Sequence, residues 1–428
     1  MKIVYIAPGT GGAFYCQNCM RDVDMVRALR HHGHEVVMVP VYQPILIDAN
    51  GLSKDVPVFF GGVNVYLQQK FGVFRKTPRW LDKFFDSPWM LRKAAAREGT
   101  TESAGLGPMI LSMLEGATGN QKKELDRLVD WMVEHEKPDV VHLSNSLLLG
   151  MASELKSRLN VPLVCTLQDE AAWLDGVDPA YSETCWQAMS DRAANVSAFV
   201  AVSDWYGGEM RERMGLPDDK VHVVPVGIDL SDRGRAPLSF DPPVIGYLSK
   251  MTESLGLGLL TDAFIQLKKN SKLNALKLRA TGGRLGKDIE YVANLEKKLA
   301  KKGLDGDAEF MTEFDGAKRR EFLESISVLS VPAPKGESFG MFIIEALAAG
   351  VPVVQPSAGA FPEVVEATGG GVIYDVNDSG ALARELEALL LDPPRARALG
   401  ERGRERVFEE LGMEQTARKM AALYEAVV

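Results

Sequence analysis

The chain reads as an α/β protein built from two doubly wound parallel sheets, and three observations carry that reading. Short apolar runs rich in Val and Ile recur along its length, amphipathic stretches separate them, and a proline-containing segment divides the series in half. Apolar runs that do not alternate with polar residues suit strands covered on both faces, the situation of a parallel sheet wrapped by helices. The first half supplies KIVYIAP, EVVMVPVY, PDVVHL, VPLVCTLQ, SAFVAVS and KVHVVPVG. The second supplies PPVIGYLS, LKLRAT, AEFMT, SVLSVPA, VPVVQP and GVIYD. Between the first two runs, Met20 to His32 places Val23, Val26 and Leu29 on one helical face and stops at Gly33. The dividing segment, Ser231 to Pro243, holds three prolines and no helical period. Domains are therefore expected at 1–235 and 244–410. Ligands of such sheets bind outside the carboxyl ends of the strands, so the expected site is a cleft where two sheets face each other.

A length of 428 residues suffices for two cores, and 46% hydrophobic with 25% charged residues is an ordinary soluble balance. The net charge of −9 argues against nucleic acid as the main partner, since a phosphate backbone is gripped by clustered Lys and Arg. No segment reaches the roughly 18 apolar residues needed to span a bilayer, and the apolar run in MKIVYIAPGTGG is too short for a secretory leader. A cytoplasmic protein is expected. Four cysteines are too few for a disulfide framework, so reduced thiols are expected, Cys16 and Cys19 included. No second CxxC or matching His pair accompanies Cys16 and Cys19, so no metal site is expected. Within an insert near 59–119, the stretch 70–97 sets Lys70, Arg75, Lys76, Arg79, Lys83, Arg92, Lys93 and Arg97 against only Asp82 and Asp86. This island reads as a helical cap with solvated charges; the alternative is an anionic acceptor site or a peripheral membrane contact, leaving a membrane-associated protein open. Gly9-Thr10-Gly11-Gly12 follows the first strand as a dinucleotide loop would, but the second strand ends VVMVPVY without an acid for a ribose, which argues against a nicotinamide dehydrogenase.

The most informative stretch is GESFGMFIIEALAAGVPVVQP, with Glu337 and Glu345 around Phe339-Gly340. A helix starting near Phe339 leaves its first N–H groups unsatisfied at the strand ends, where they attract phosphate. Gly340 lets backbone approach a ligand, Glu345 can accept hydrogen bonds from vicinal hydroxyls such as a ribose's, and Glu337 reaches the group beyond the phosphates. The segment suits a nucleoside diphosphate carrying a hydroxyl-rich group. The plainer alternative is a helix with one acid favoured by its dipole and one solvated acid. His31, His32 and His34 suit a helix C-terminus, whereas His142 ends PDVVHL and is expected to point toward the cleft, ahead of Ser144, Asn145 and Ser146.

ESFGMFIIEALAAGVPVV resembles the paired-glutamate signature of retaining, family 4 glycosyltransferases with two Rossmann-like domains, the GT-B type. AVSDWYGGEMRERMGLPDDKVHVVPVGID, GYLSKMTESLGLGLLTDAF and FPEVVEATGGGVIYD are similar to further stretches of that family in the same order. EQTARKMAALYEAVV resembles its closing helix, which crosses back to the first domain; 411–428 is expected to do so. The resemblance implies an acceptor-side first domain, a nucleotide-sugar second domain, and transfer of a sugar to an acceptor with retention and no required cofactor or metal. It implies that Glu345 holds the donor ribose, Glu337 the sugar, and Ser338, Phe339, Gly340 and Met341 the diphosphate. Gly11 and Gly12 would close over the donor, with Lys250, Gly282 and Gly283 also on its side. Glu337, Lys250, Gln168 and Asp169 are the expected catalytic residues; Asn18, His142 and Asn145 are the expected acceptor contacts. The chain departs from the family where an Arg and a following Lys-Gly are usual, carrying Lys250 and then Leu255-Gly256. Lys250 lacks the guanidinium fork, and Leu255 carries no charge. Where the family often has His, Gln168 stands, which cannot titrate. Other cations such as Arg284 or Lys287 would then serve, or the donor would be an unusual one, or the protein would be a sugar-nucleotide or glycan-binding relative without turnover.

Overall fold

A computed structural model describes residues 1–10, 14–45, 56–57, 59–76, 103–231, 233–375 and 378–428. Each of the twelve apolar runs becomes one strand. β1 (Lys2–Thr10), β2 (Glu35–Ile45), β3 (Val140–Leu143), β4 (Leu163–Leu167), β5 (Ala198–Ala201) and β6 (Val221–Val223) form one sheet in the order β2-β1-β3-β4-β5-β6. β7 (Val244–Leu248), β8 (Lys277–Thr281), β9 (Ala308–Phe310), β10 (Val328–Leu329), β11 (Val353–Pro356) and β12 (Gly371–Tyr374) form another in the order β12-β11-β10-β7-β8-β9. Every pairing in both sheets is parallel. β3, β4, β5 and β7 are buried throughout, as continuous apolar runs require, while the edge strands β6 and β9 expose their middle residues. Ile3, Ile6, Val141 and Leu163 lie in the first core, and Ile245, Leu278, Val328 and Val353 in the second, all fully buried.

The chain divides into two compact units: Met1–Gly12, Asn18–Pro225 and Thr416–Val428 make the first, Ala13–Gln17 and Val226–Gln415 the second. The proline-containing segment is held to the second unit, where Ala236 donates its N–H to the Ala349 carbonyl at 2.8 Å and the Ser239 carbonyl accepts from Ser327 Oγ at 2.5 Å. The last helix, Met413–Val427, contributes the fully buried Tyr424 to the first unit. The helix Gln17–His31 buries Met20, Val23, Val26 and Leu29, and Gly33 ends it at φ +85°, a left-handed conformation that glycine adopts without strain.

Within the insert, the helix Gly62–Lys70 is followed by a short turn at Gly72–Lys76, and Tyr66, Phe71 and Val73 are more than half exposed beside Lys70 and Arg75. Arg79, Lys83, Arg92, Lys93 and Arg97 lie outside the described residues, as do Gly11 and Gly12. Among the described residues no helix is long and apolar enough to cross a membrane.

Candidate functional site

In the second sheet the strand order reverses between β7 and β10, which marks the crevice outside their carboxyl ends as the place for a ligand. β7 runs into Ser249-Lys250, β8 into Gly282-Gly283, and β10 into the loop that leads through Glu337 to the helix Met341–Ala348. Gly282 sits at φ +129°, and a Cβ there would lie 2.1 Å from the Ser249 carbonyl oxygen, so only glycine lets these two strand ends approach. Gly340, at φ +90°, is the cap residue of the helix, and a Cβ there would press within 2.9 Å of the Phe361 ring. The helix therefore begins at Met341, two residues later than the sequence suggests, because the left-handed Gly340 cannot join its first turn. It has no side-chain cap of its own residues; the Met341 N–H donates to Gln17 Oε1 at 2.6 Å.

Glu345 is completely buried in this helix. Its Oε1 lies 3.0 Å from Arg233 Nη2 and 2.9 Å from Arg319 Nε, and its Oε2 accepts from the Tyr15 hydroxyl at 2.6 Å. Burial pushes its pKa up, but Arg319, Arg233 and the Tyr15 hydrogen bond outweigh burial and hold it below the ordinary value. Burial next to this carboxylate drives the Tyr15 phenol well above its own. Glu337 accepts from Gln17 Nε2 at 2.7 Å, so one amide joins Glu337 to the helix N-terminus. Ser338, Phe339 and Met341 are buried around this turn.

Lys250 pairs with the buried Asp288 at 3.0 Å, and its ammonium stands 5.6 Å from the centre of the Phe14 ring. The Tyr247 hydroxyl fixes the loop by donating to the carbonyls of Lys250 at 2.9 Å and Leu255 at 3.4 Å. Tyr15 donates its N–H to Gly282 at 2.8 Å, and Met251 donates to Gly283 at 2.9 Å. Arg284 lies 3.9 Å from Glu296, while Lys287 begins the helix Lys287–Ala300. The second unit thus brings together Lys250, Gly282, Glu337, Met341 and Glu345, each in contact with a residue of the segment 14–17.

The remaining sequence candidates belong to the first unit. Asn18 donates to Asp169 at 3.0 Å, and Asp169 is left-handed at φ +57° ahead of the helix Glu170–Asp175. Gln168 is buried and donates to the Ser144 carbonyl at 2.6 Å, and its Oε1 has no hydrogen-bond partner. Asn145 caps the following turn by accepting from Leu147 N–H at 3.1 Å. Glu170 ties these loops together, accepting from the backbone of Ser146 at 2.8 Å, from that of Gln168 at 2.6 Å and from the Tyr206 hydroxyl at 2.8 Å. Burial nevertheless pushes its carboxyl up to about 7.

Two expectations are corrected. His142 does not present a free edge to a ligand: it is fully buried, stacked on Tyr5 with ring centres 4.4 Å apart, and its two nitrogens meet the Tyr424 hydroxyl at 2.8 Å and Thr166 Oγ1 at 2.9 Å. It sits inside β3 with its side chain in the core rather than toward a cleft, and there burial and Arg21 drive its pKa well down. Cys16 and Cys19 are disulfide-bonded, not reduced, because their spacing at the entrance of the helix Gln17–His31 puts them one turn apart. Cys165 and Cys185 are free and buried.

Sequence reading did not find Arg233, Arg319, Tyr15 or Gln17. Arg233 and Arg319 reach Glu345 from 112 and 26 positions away in the chain, and nothing in their own neighbourhoods distinguishes them from other surface arginines. For Gln17 a signal existed in the two cysteines around it, which mark a constrained loop.

Comparison with known proteins agrees with this geometry. Residues 23–227 match the model of a glycosyl transferase 4-like domain, and 231–406 that of glycosyl transferases group 1. The alpha-maltose-1-phosphate synthase of Mycolicibacterium smegmatis is 30% identical over 318 residues, covering 68% of this chain and 80% of that protein. The D-inositol 3-phosphate glycosyltransferase of Nocardia farcinica is 25% identical over 368 residues, covering 79% of each chain. Among solved structures, HepE from Anabaena in complex with UDP superposes with a TM-score of 0.72 at 16% identity, covering 100% of both chains. Sucrose-phosphate synthase from Thermosynechococcus elongatus gives 0.71 at 18% identity, covering 100% of this chain and 98% of that one. With its two parallel six-stranded sheets and its similarity to these proteins, the chain belongs to the group 1 glycosyl transferases.

Proposed function

We propose that this protein moves a sugar from a nucleotide-sugar donor held in the second unit to an acceptor, with retention of configuration and without a metal. The observation that carries this reading is the grouping of Glu337, Glu345 and the N–H of Met341 around the left-handed Gly340, outside the carboxyl ends of β7 and β10. Solved relatives of the same fold hold UDP, UDP with glucose, or UDP-glucose, which supports a nucleotide-sugar donor. In this reading Glu345 takes the donor ribose, Glu337 takes the sugar, and the turn Ser338 to Met341 takes the diphosphate, with Gly282 and Gly283 beside it.

The leaving diphosphate gathers negative charge as the glycosidic bond breaks, and fixed N–H dipoles and a cation stabilise it without reorganising. Lys250 is proposed as that cation. Front-side attack assisted by the leaving phosphate then retains the anomeric configuration and asks for no protein nucleophile. Asn18 and Asn145 are proposed as acceptor contacts, and Gln168 and Asp169 as catalytic residues. The insert, where Tyr66, Phe71 and Val73 stand exposed next to Lys70 and Arg75, is proposed as a peripheral contact with an anionic membrane surface.

A second reading, binding without turnover, is favoured by one observation: Lys250 is already neutralised by Asp288, and Leu255 brings no second charge. One experiment separates the two. Purified protein is incubated with a panel of nucleotide sugars, and thermal shift and nucleoside diphosphate release are scored together, with and without a chelator. Stabilisation with release, unchanged by the chelator, and a product of unchanged anomeric configuration by NMR, are expected. Stabilisation without release across a wide acceptor set would establish the binding protein, and no stabilisation by any donor would refute both.

A further inference from the structure

Tyr15, Gln17 and the Cys16–Cys19 pair have no part in the reaction proposed above, yet Tyr15 and Gln17 lie on the residues assigned to the donor. We infer that Gln17 and Tyr15 act as a resident surrogate for the donor and set how tightly the protein takes a nucleotide sugar, an inference that rests on the donor-site reading of the second unit.

The polarity of each contact matches that of the ligand. A sugar hydroxyl would donate to Glu337; Gln17 Nε2 donates to it at 2.7 Å. A diphosphate oxygen would accept from the Met341 N–H; Gln17 Oε1 accepts from it at 2.6 Å. A ribose hydroxyl would donate to Glu345; the Tyr15 hydroxyl donates to it at 2.6 Å. The segment is anchored by Tyr15 N–H on the Gly282 carbonyl, and Gln17 lies within the small ring that the Cys16–Cys19 disulfide closes. A side chain that merely filled space would not reproduce donor and acceptor in this order.

A neutral amide is a weaker partner for a helix N-terminus than a phosphate, so a bound diphosphate displaces Gln17. Until then the residue holds the turn at Gly340 in its ligand-ready form and masks it. Apparent affinity is the intrinsic affinity reduced by the fraction of molecules in which the surrogate has left. Gln17 and Tyr15 are in this sense positioning residues whose removal improves binding, the opposite of what removing a donor contact does.

The test is calorimetric titration of the full chain with UDP, GDP and ADP, and with inorganic pyrophosphate, for the wild type, Q17A, Q17N and Y15F, with melting curves for each. Q17A is expected to bind its preferred nucleoside diphosphate at least fivefold more tightly while melting at a lower temperature. Q17N keeps an amide but loses reach, and is expected to behave as Q17A. Y15F is expected to gain about threefold for the nucleoside diphosphate and nothing for pyrophosphate, since only the former carries a ribose. A wild type that binds while Q17A binds equally or less well would overturn the surrogate and leave the donor site standing. Absence of binding by the wild type and every variant would overturn the donor site itself.

Discussion

Arg319 Nε and Glu345 Oε1 lie 2.9 Å apart around a carboxylate that has no exposed surface, with Arg233 on the same oxygen at 3.0 Å. The charge of Glu345 is therefore tolerated only while both guanidiniums remain. Removing one partner of a buried pair costs about 3–5 kcal/mol, since it leaves the other uncompensated. Arg319→Ala is expected to lower stability by about 3 kcal/mol, the low end because Arg233 stays, as read from urea unfolding. Arg319→Ala/Glu345→Gln should recover part of that loss, and a double-mutant cycle gives the coupling.

The two signature acids should separate kinetically. Glu345→Ala is expected to raise the donor KM, because it removes the proposed ribose contact, and Glu337→Ala is expected to lower kcat more than it raises KM. Steady-state kinetics with the donor found by the panel checks this; equal and negligible effects from both would remove these residues from the site.

Lys250 is the cation proposed to serve the leaving group, and it shares its charge with Asp288. Lys250→Ala should cost roughly 100- to 1000-fold in kcat, the loss seen when one preorganised stabilising group is removed from a developing anion. Lys250→Arg should retain more than Lys250→Ala, and diphosphate release measures both.

Glu170 gives a pH dependence of defined sign. Its folded pKa of about 7 stands above the 4.5 of an ordinary glutamate, so the protonated form favours folding. That contribution is complete below pH 4.5 and is lost as pH rises through about 7. A displacement of this size corresponds to about 3 kcal/mol. Between pH 5 and 8 the wild type should lose stability relative to Glu170→Gln, and melting temperatures across that range for both proteins test it.

The strand series was legible because the central strands of a parallel sheet are covered on both faces, and such strands announce themselves as largely apolar runs such as AFVA and VIGYL. The two glutamates and Gly340 were legible for a similar reason: one short stretch holds the turn, the helix start and the acids. Arg233 and Arg319 were not, because the fold alone brings them to Glu345. His142 misled for a subtler reason. A polar residue near a strand end suggests an exposed ligand contact, and only the arrival of Tyr424 from the last helix turns it into a satisfied core group.

That last contact bears on how the protein is made. Residues 416–428 complete the first unit, yet a ribosome produces them only after all of 226–415. The nascent first unit waits, with His142 lacking its Tyr424 partner and the seat of the final helix bare, for the whole time the second unit takes to emerge. At the usual synthesis rate of about 5–20 residues per second that interval is on the order of ten to forty seconds. During it the incomplete unit offers apolar surface to chaperones and proteases, and the second unit, needing nothing later than residue 415, can fold before the first is finished.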